Sequence, residues 1–361
     1  MIRTFQPIGQ GAFYIEQFDG FTIVYDCGSN ENESLLKKEI RSIFEKGQDI
    51  DAVFISHLHS DHVNGLEFLI EHCNVKRIFM PLLTENDKIQ LLIQNAIIQN
   101  RNSLFLDNLI ETQSIENISV VLVPETEIYS EINFDQEPIP IDGSINSETL
   151  KNNPKLHNKN INNWVFILFN FRQMQRIDDL KTKLSKENIF FDNISEFKSH
   201  WNQDKQKEKI IDAFKSIPGS LNANSMVLYS GPEKNGKCYY HHFINSFHCD
   251  PFQRYHFLAA CIYFGDYEAR GNKKWKQFLN HYKKYWEYVG TIQIPHHGSK
   301  YNYNRKINQG NPKISIISAG INNIYRHPHA STLKDIVLDD GIPIVVSENV
   351  GSRIMIEIHG I

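Results

Sequence analysis

Cysteine is scarce in this chain of 361 residues. There are five, Cys27, Cys73, Cys238, Cys249 and Cys261, and none stand in C-x-x-C spacing. An odd, unpatterned set excludes a disulfide-framed secreted scaffold and a zinc module built on cysteine, and fits reduced thiols in a cytoplasmic protein. Long apolar runs are missing too. None approaches the roughly 18 residues that a membrane span requires, and the opening MIRTFQPIGQGAF has no charged-then-apolar leader. The expectation is a cytoplasmic chain with no membrane span. Nor is there an excess of charge: 38 Lys and Arg against 42 Asp and Glu leave a net −4, too little to hold nucleic acid by overall field. Internal repeats and long low-complexity tracts are absent.

What is present is a rhythm of strands and helices. Hydrophobic residues make up 41% of the chain, enough for one large α/β domain with insertions. Residues 3–26 read as two or three strands, with Asp19-Gly20 as a hairpin turn. Glu33 to Lys46 has helical periodicity, Ala52 to Ile55 is a short apolar strand, and Val75 to Met80 and Ile118 to Val123 are further strands around a helix over Thr84 to Asn100. Such alternation indicates layered α/β architecture. Residues 126–222 break the rhythm with polar, Asn-rich sequence and Lys/Glu-rich helices, and are expected to form an insertion or elaborated subdomain within a single domain over 1–361. That insertion is also where a protein partner would dock. Strands return at Ser225–Tyr229, Lys237–Phe243, Ala259–Phe264, Thr291–Ile294, Ile314–Ile317, Pro343–Ser347 and Arg353–Ile358, with helices at Trp275–Tyr288 and Ser331–Leu338.

Several of these strands end in metal-type ligands. After Ala52–Ile55 comes His57-Leu58-His59-Ser60-Asp61-His62, an H-x-H-x-D-H cluster at a strand-to-helix turn. Imidazole nitrogen and carboxylate oxygen are ordinary ligands for zinc and its neighbours. His57 and His59 fall on one face of an extended segment, and Asp61 and His62 sit where the chain turns and can reach a second ion. Asp266 ends another apolar strand, and His296-His297 ends a third. Strand ends converge in α/β sheets, where sites form, and a carboxylate between two clusters can bridge two cations. Asp26, at the end of the strand Phe21–Tyr25, reads either as a turn-forming residue or as an acceptor that orients the histidine turn.

The H-x-H-x-D-H turn, the later Gly265-Asp266 and the strand-terminal histidine resemble the metallo-β-lactamase superfamily. Asn224 to Leu228, Phe264-Gly265-Asp266, Pro295 to Lys300 and Ser318-Ala319-Gly320 with His327-Pro328-His329 resemble, in order, the hydrolase domain of ComEC-type competence proteins. The resemblance covers about 1–125 and 222–361. It implies a four-layer αββα sandwich with an inserted helical and irregular segment, and two divalent metal ions, zinc or alternatively manganese. It further implies His57 and His59 on the first ion, Asp61 and His62 on the second, Asp266 between them, and His297 as a further ligand. His296 is implied as a substrate-phosphate contact or proton donor, and with Asp61 and His329 makes up the implied catalytic set. His327 is the implied substrate contact, while His327 and His329 together read either as a late contact to the leaving group or as a loop turned by Pro328. In two respects the chain departs from the pattern. His59 stands where ComEC-type domains carry Asp, and no histidine turn between the first cluster and Asp266 supplies a third ligand for the first ion.

From Arg270 to Lys306 there are nine basic residues and one acid, Glu287, interleaved with Trp275, Phe278, Tyr282, Tyr285, Trp286, Tyr288, Tyr301 and Tyr303. Basic and aromatic surface beside a metal site suits nucleic acid or another phosphodiester, although Lys273–Tyr288 also reads as a helix with one solvated and one buried face. Lys300, Arg305 and Lys306, directly after the histidine pair, are the substrate-binding candidates. The expected activity is therefore phosphodiester hydrolysis by a hydroxide shared between two cations. Carboxylic ester, thioester or lactone hydrolysis on the same ions is the alternative, and a regulatory module with a vestigial site is an alternative of another class.

Overall fold

A computed structural model describes residues 1–99, 103–127, 131–171, 175–217, 225–234, 241–245, 258–310 and 313–359. Two sheets, each of eight strands among the described residues, lie at its centre. The first runs in the order His241–Asn245, Ile354–Ile358, Ile2–Phe5, Gly11–Phe18, Phe21–Ser29, Ala52–Phe54, Arg77–Pro81 and Ser119–Val123. The second runs Ile342–Val346, Ile314–Ser318, Val289–Gln293, Ala260–Tyr263, Ser225–Pro232, Trp164–Phe171, Lys155–His157 and Ile139–Pro140.

Three separate apolar clusters correspond to the three interfaces of a four-layer sandwich. One lies between the sheets and is rich in rings, among them Phe5, Tyr14, Tyr25, Phe54, Trp164, Phe166 and Tyr263. Tyr25 and Tyr263, from opposite sheets, stack at 4.9 Å. A second cluster joins the first sheet to helices Glu33–Ile43, Leu66–His72, Glu85–Gln99 and Leu104–Thr112, and a third joins the second sheet to helix Asn272–His281 and the segment that follows it. Alternation explains the arrangement. In strand Ile354–Ile358, Ile354, Ile356 and Ile358 are buried between the sheets while Met355 and Glu357 point away.

The stretch 126–222, expected as an insertion, contributes to both halves. Ile139–Pro140, Lys155–His157 and Trp164–Phe171 extend the second sheet to its edge. Helices Gln175–Ser185, Ile194–Trp201 and Asp204–Lys215 pack against the first sheet's helical layer through Ile177, Leu180, Leu184, Phe197, Ile210 and Phe214. Their polar look arises because each helix buries only one to three side chains and leaves the rest partly or fully to solvent. The basic and aromatic run also resolves into two faces. Trp275, Phe278, Tyr282 and Tyr285 are core residues of the third cluster, so of the two readings of this run the one with a buried aromatic face holds, and these four rings are not a nucleic-acid platform. The helix there is shorter than expected, Asn272–His281. Of the expected strand Lys237–Phe243, residues 237–240 lie outside the described residues, and His241–Asn245 pairs antiparallel with Ile354–Ile358.

What positions the site is a run of parallel pairings. Phe21–Ser29 lies parallel to Ala52–Phe54, and Ala260–Tyr263 lies parallel to Val289–Gln293, which lies parallel to Ile314–Ser318. Parallel neighbours end on the same side, so the segments after residues 54, 263 and 293 emerge together.

Candidate metal centre

The histidine turn is held against the strand that carries Asp26. Gly28 allows this approach, since a Cβ there would lie 2.5 Å from backbone atoms of Asp61 and His62. Gly265 does the same for the Asp266 turn. It has φ +54, and a Cβ would lie 2.6 Å from side-chain atoms of Ser56 and Ser225. Asp26, His296 and His297 also adopt left-handed backbone, at φ 55, 48 and 54, a conformation that costs non-glycine residues about 1–3 kcal/mol each and gathers at functional sites.

Three imidazoles have their tautomers set by their partners. His62 Nδ1–H donates to Asp26 Oδ2 at 2.7 Å, and His297 Nδ1–H donates to the Ser318 carbonyl at 2.9 Å. Both partners only accept. Ser56 Oγ–H donates to Asp26 Oδ2 at 2.7 Å and, its proton spent, accepts from His57 Nδ1–H at 2.9 Å. In its neutral form each ring therefore turns an unprotonated Nε2 inward. His57 Nε2, His62 Nε2 and His297 Nε2 are buried and have no hydrogen-bond partner among the described residues.

These lone pairs face carboxylate oxygens. His62 Nε2 is 3.2 Å from Asp266 Oδ1, His297 Nε2 is 3.3 Å from Asp61 Oδ2, and His57 Nε2 is 3.7 Å from Asp266 Oδ2. Acceptor against acceptor at such distances is reconciled by positive charge between them. Two sets of ligand atoms, each within 4.8 Å of one another, emerge: His57, His62 and Asp266, and Asp61, His62 and His297. His62 is common to both. Neutral imidazole and carboxylate in two adjoining sets fit divalent cations.

The electrostatics agree. Burial depresses the His57 conjugate acid well below the ordinary imidazole value, and neighbouring His62 and His59 add to this. Burial acts the same way on His62, but Asp266, Asp26 and Asp61 outweigh it and raise that group well above its ordinary value. Burial disfavours the Asp266 anion, yet His296, His62 and His57 outweigh it and hold the carboxyl well below the carboxylate range. Without a cation, the cluster draws in a proton at His62.

The remaining candidates lie around this centre. His59 is buried beside His57, ring centres 4.6 Å apart, but its Nε2 is bound to Gln94 Oε1 at 2.9 Å; Nδ1 is left as its ligating atom, and it belongs to neither set. Asp61 Oδ2 also accepts from Asn30 at 3.2 Å. His296 is one-quarter exposed, with Nε2 3.6 Å from Asp266 Oδ2. His327 packs its ring 5.5 Å from His296, and burial together with the surrounding histidines lowers its conjugate acid to about 3. His329 lies one ring further out, 5.1 Å from His327, and caps helix Ala330–Leu338. Lys300 and Lys306 are exposed. Arg305 is held by Asp339 in a two-pronged ion pair at 2.7 and 2.8 Å.

Several residues organise the site without having been singled out as site residues; of them, only Ser225 falls within a motif named above. Ser56 links Asp26, His57 and His62. Gln293 Oε1 accepts from Gly265 N at 2.7 Å, Ser225 Oγ accepts from Asp266 N at 3.1 Å, and Asn302 Nδ2 donates to the Asp266 carbonyl at 3.0 Å. The one signal for Ser56 was a hydroxyl residue directly before the first histidine.

A family model described as "Metallo-beta-lactamase superfamily" matches residues 8–87, the stretch holding Asp26 and the histidine turn. The chain has the α/β metallo-β-lactamase fold. Among curated proteins, it is similar to a ribonuclease Z of Methanococcus maripaludis (strain C6 / ATCC BAA-1332), 25% identical over 116 residues. That match spans 32% of this chain and only 36% of the relative's length. Among solved structures, it is similar to the metallo-beta-lactamase fold protein YhfI from Bacillus subtilis, with TM-score 0.41, 8% identity, and coverage of 96% of this chain and 97% of that one. It is also similar to human tRNase Z, short form (ELAC1), with TM-score 0.37, 10% identity, and coverage of 96% and 92%.

Proposed function

We propose that this chain is a hydrolase of phosphodiesters, acting on nucleic acid, that works with two divalent metal ions, zinc or manganese. The observation that carries the reading is the trio of buried Nε2 atoms of His57, His62 and His297, without a hydrogen-bond partner among the described residues, held in one tautomer and turned toward Asp61 and Asp266. Divalent cations in such a site supply Lewis acidity, acidifying water near neutral pH and offsetting charge on phosphoryl oxygens.

The chain's own residues do the rest. His57, His62, His297, Asp61 and Asp266 hold the ions, with His59 contributing Nδ1 from the flank. Asp26, Ser56 and the Ser318 carbonyl fix the rings, so little reorganisation accompanies binding. His296 stands at the solvent edge of Asp266 and is placed to pass a proton to the leaving oxygen. His327 is neutral at pH 7 and offers hydrogen bonds rather than charge to the substrate. His329, a ring further out, serves the substrate's flank rather than the reacting atoms.

Support for nucleic acid comes from the ribonuclease Z similarity, short as it is, from the ComEC-type motifs, and from the exposed Lys300 next to the histidine pair. The test is a panel of bis-p-nitrophenyl phosphate, single-stranded DNA, RNA and a thioester, each with zinc or manganese. Cleavage of phosphodiesters that is lost in Asp266→Ala supports the reading. Cleavage of the thioester alone would transfer the site to carboxylic ester chemistry.

A further inference from the structure

Outside the metal-ligand sets, an open cavity of about 400 Å³ is lined in part by Lys300 and by Ser331 and Thr332, which follow His329 in the chain. Its wall includes Arg270, Lys300, Tyr303, Ser331, Thr332 and Asp335. Arg305 is there too, but its charge is met by Asp339. With that pair set aside, Arg270 and Lys300 face one carboxylate, Asp335, and leave a positive basin. Its floor is the first turn of helix Ala330–Leu338, whose cap residue His329 makes no side-chain hydrogen bond to the turn and whose first turn contains no acid. That end of a helix favours anions.

A second observation points to a ligand independently. Thr332, 1% exposed, lines this cavity, and its Oγ1 is buried with no hydrogen-bond partner among the described residues. A buried hydroxyl left unpaired is destabilising, and one set beside a cationic wall is a donor in wait of an acceptor. The basin is tied to the metal centre by short links: Lys300 N donates to His329 Nδ1 at 3.3 Å, and the His329 and His327 rings lie 5.1 Å apart.

We propose that this basin is a subsite for a second phosphate group of the substrate, on the strand beside the scissile phosphodiester. Arg270 and Lys300 supply charge, Thr332 a directed hydroxyl, and the helix end oriented N–H groups. The inference rests on the phosphodiesterase reading and narrows it: the substrate is a chain of phosphodiesters, so a lone small diester fills only half the site. Tyr301, exposed beside Lys300 whose ammonium lies 5.0 Å from its ring centre, gives the intervening nucleoside a face to stack on.

Two measurements on the metal-loaded protein separate this claim from the one it rests on. The first is titration of inorganic phosphate, followed by calorimetry, on the wild type, Arg270→Ala and Thr332→Val. Arg270 is exposed and Thr332→Val is nearly isosteric, so both variants retain the fold, which circular dichroism verifies. A phosphate site is expected that weakens at least tenfold in each variant. The second is the ratio of kcat/KM for a tetranucleotide to that for bis-p-nitrophenyl phosphate, expected to fall about tenfold in each variant, through KM. Unchanged phosphate binding together with an unchanged ratio would overturn the subsite even if the wild type cleaves both substrates. Phosphate binding that is lost in the variants, in a protein that cleaves neither substrate, would keep the basin and remove the hydrolase reading.

Discussion

Asp26→Asn is the sharpest perturbation of the site, because it changes a proton and almost nothing else. The carboxylate is fully buried and receives three donors: Ser56 N at Oδ1, and Ser56 Oγ and His62 Nδ1 at Oδ2, all at 2.7 Å. Asparagine tolerates the left-handed backbone of this position. Its oxygen can keep the Ser56 N–H, and its amide N–H₂ then stands where Oδ2 was. The Ser56 hydroxyl can rotate to accept, but His62 Nδ1–H cannot. The ring relieves the clash by moving its proton to Nε2, the atom turned toward Asp266 Oδ1. Binding a cation must then reverse that tautomer and leave a buried donor unpaired, at a cost of about 1–3 kcal/mol. Since about 1.4 kcal/mol is tenfold in affinity, the loss is about 10- to 100-fold. Competition with a fluorescent zinc chelator measures it, with circular dichroism as the check on folding. A folded Asp26→Asn protein that binds zinc within twofold of the wild type would refute the tautomer argument.

Three further outcomes follow from the same geometry. His62's conjugate acid is raised in the metal-free site, so a cation must displace a proton there near neutrality. Affinity should therefore rise with pH, by up to about tenfold per unit; equal affinities at pH 6, 7 and 8 would contradict this. Arg3 and Glu16 form an ion pair at 2.7 Å inside the layer between the sheets, and Glu16 also accepts from Tyr263 OH and Ser230 Oγ. Arg3→Met strands a buried carboxylate and should cost about 3–5 kcal/mol in urea denaturation; a loss under about 1 kcal/mol would show the pair is not structural. Cys27, Cys73 and Cys261 are buried, and burial raises the last two thiols to about 11 and about 12. At pH 8, at most two of the five cysteines should react with a thiol reagent in the native protein and all five after unfolding, so a third fast-reacting thiol would place one of these at the surface.

The sequence made the strand ends legible because each joins an apolar run to a polar ligand, and that contrast survives in one dimension. His57, His62, Asp266 and His297 could be named as neighbours because parallel strands deliver their ends to one side. The grouping was less legible. Spacing along the turn joined His57 with His59 and Asp61 with His62, whereas in space His62 lies in both sets and His59 turns its Nε2 to Gln94. A ring's rotation depends on partners distant in sequence, here Gln94 and Ser318, that no local pattern reveals. The aromatic run 275–288 allowed two readings for a related reason: a helix face packed on a sheet and a face prepared for stacking bases have the same composition, and the structure shows the packed one. Residues 126–222 read as an insertion because outside Trp164–Phe171 their buried positions are scattered, although that strand is buried almost throughout and pairs along its whole length with Ser225–Pro232.

The most direct test of the account is metal stoichiometry. Equilibrium dialysis against zinc or manganese, with elemental analysis, should find two ions per chain in the wild type. In His62→Ala both should be lost together, because His62 serves both ligand sets. A wild-type protein that binds no divalent cation, or a His62→Ala protein that keeps both with unchanged affinity, would contradict the central claim.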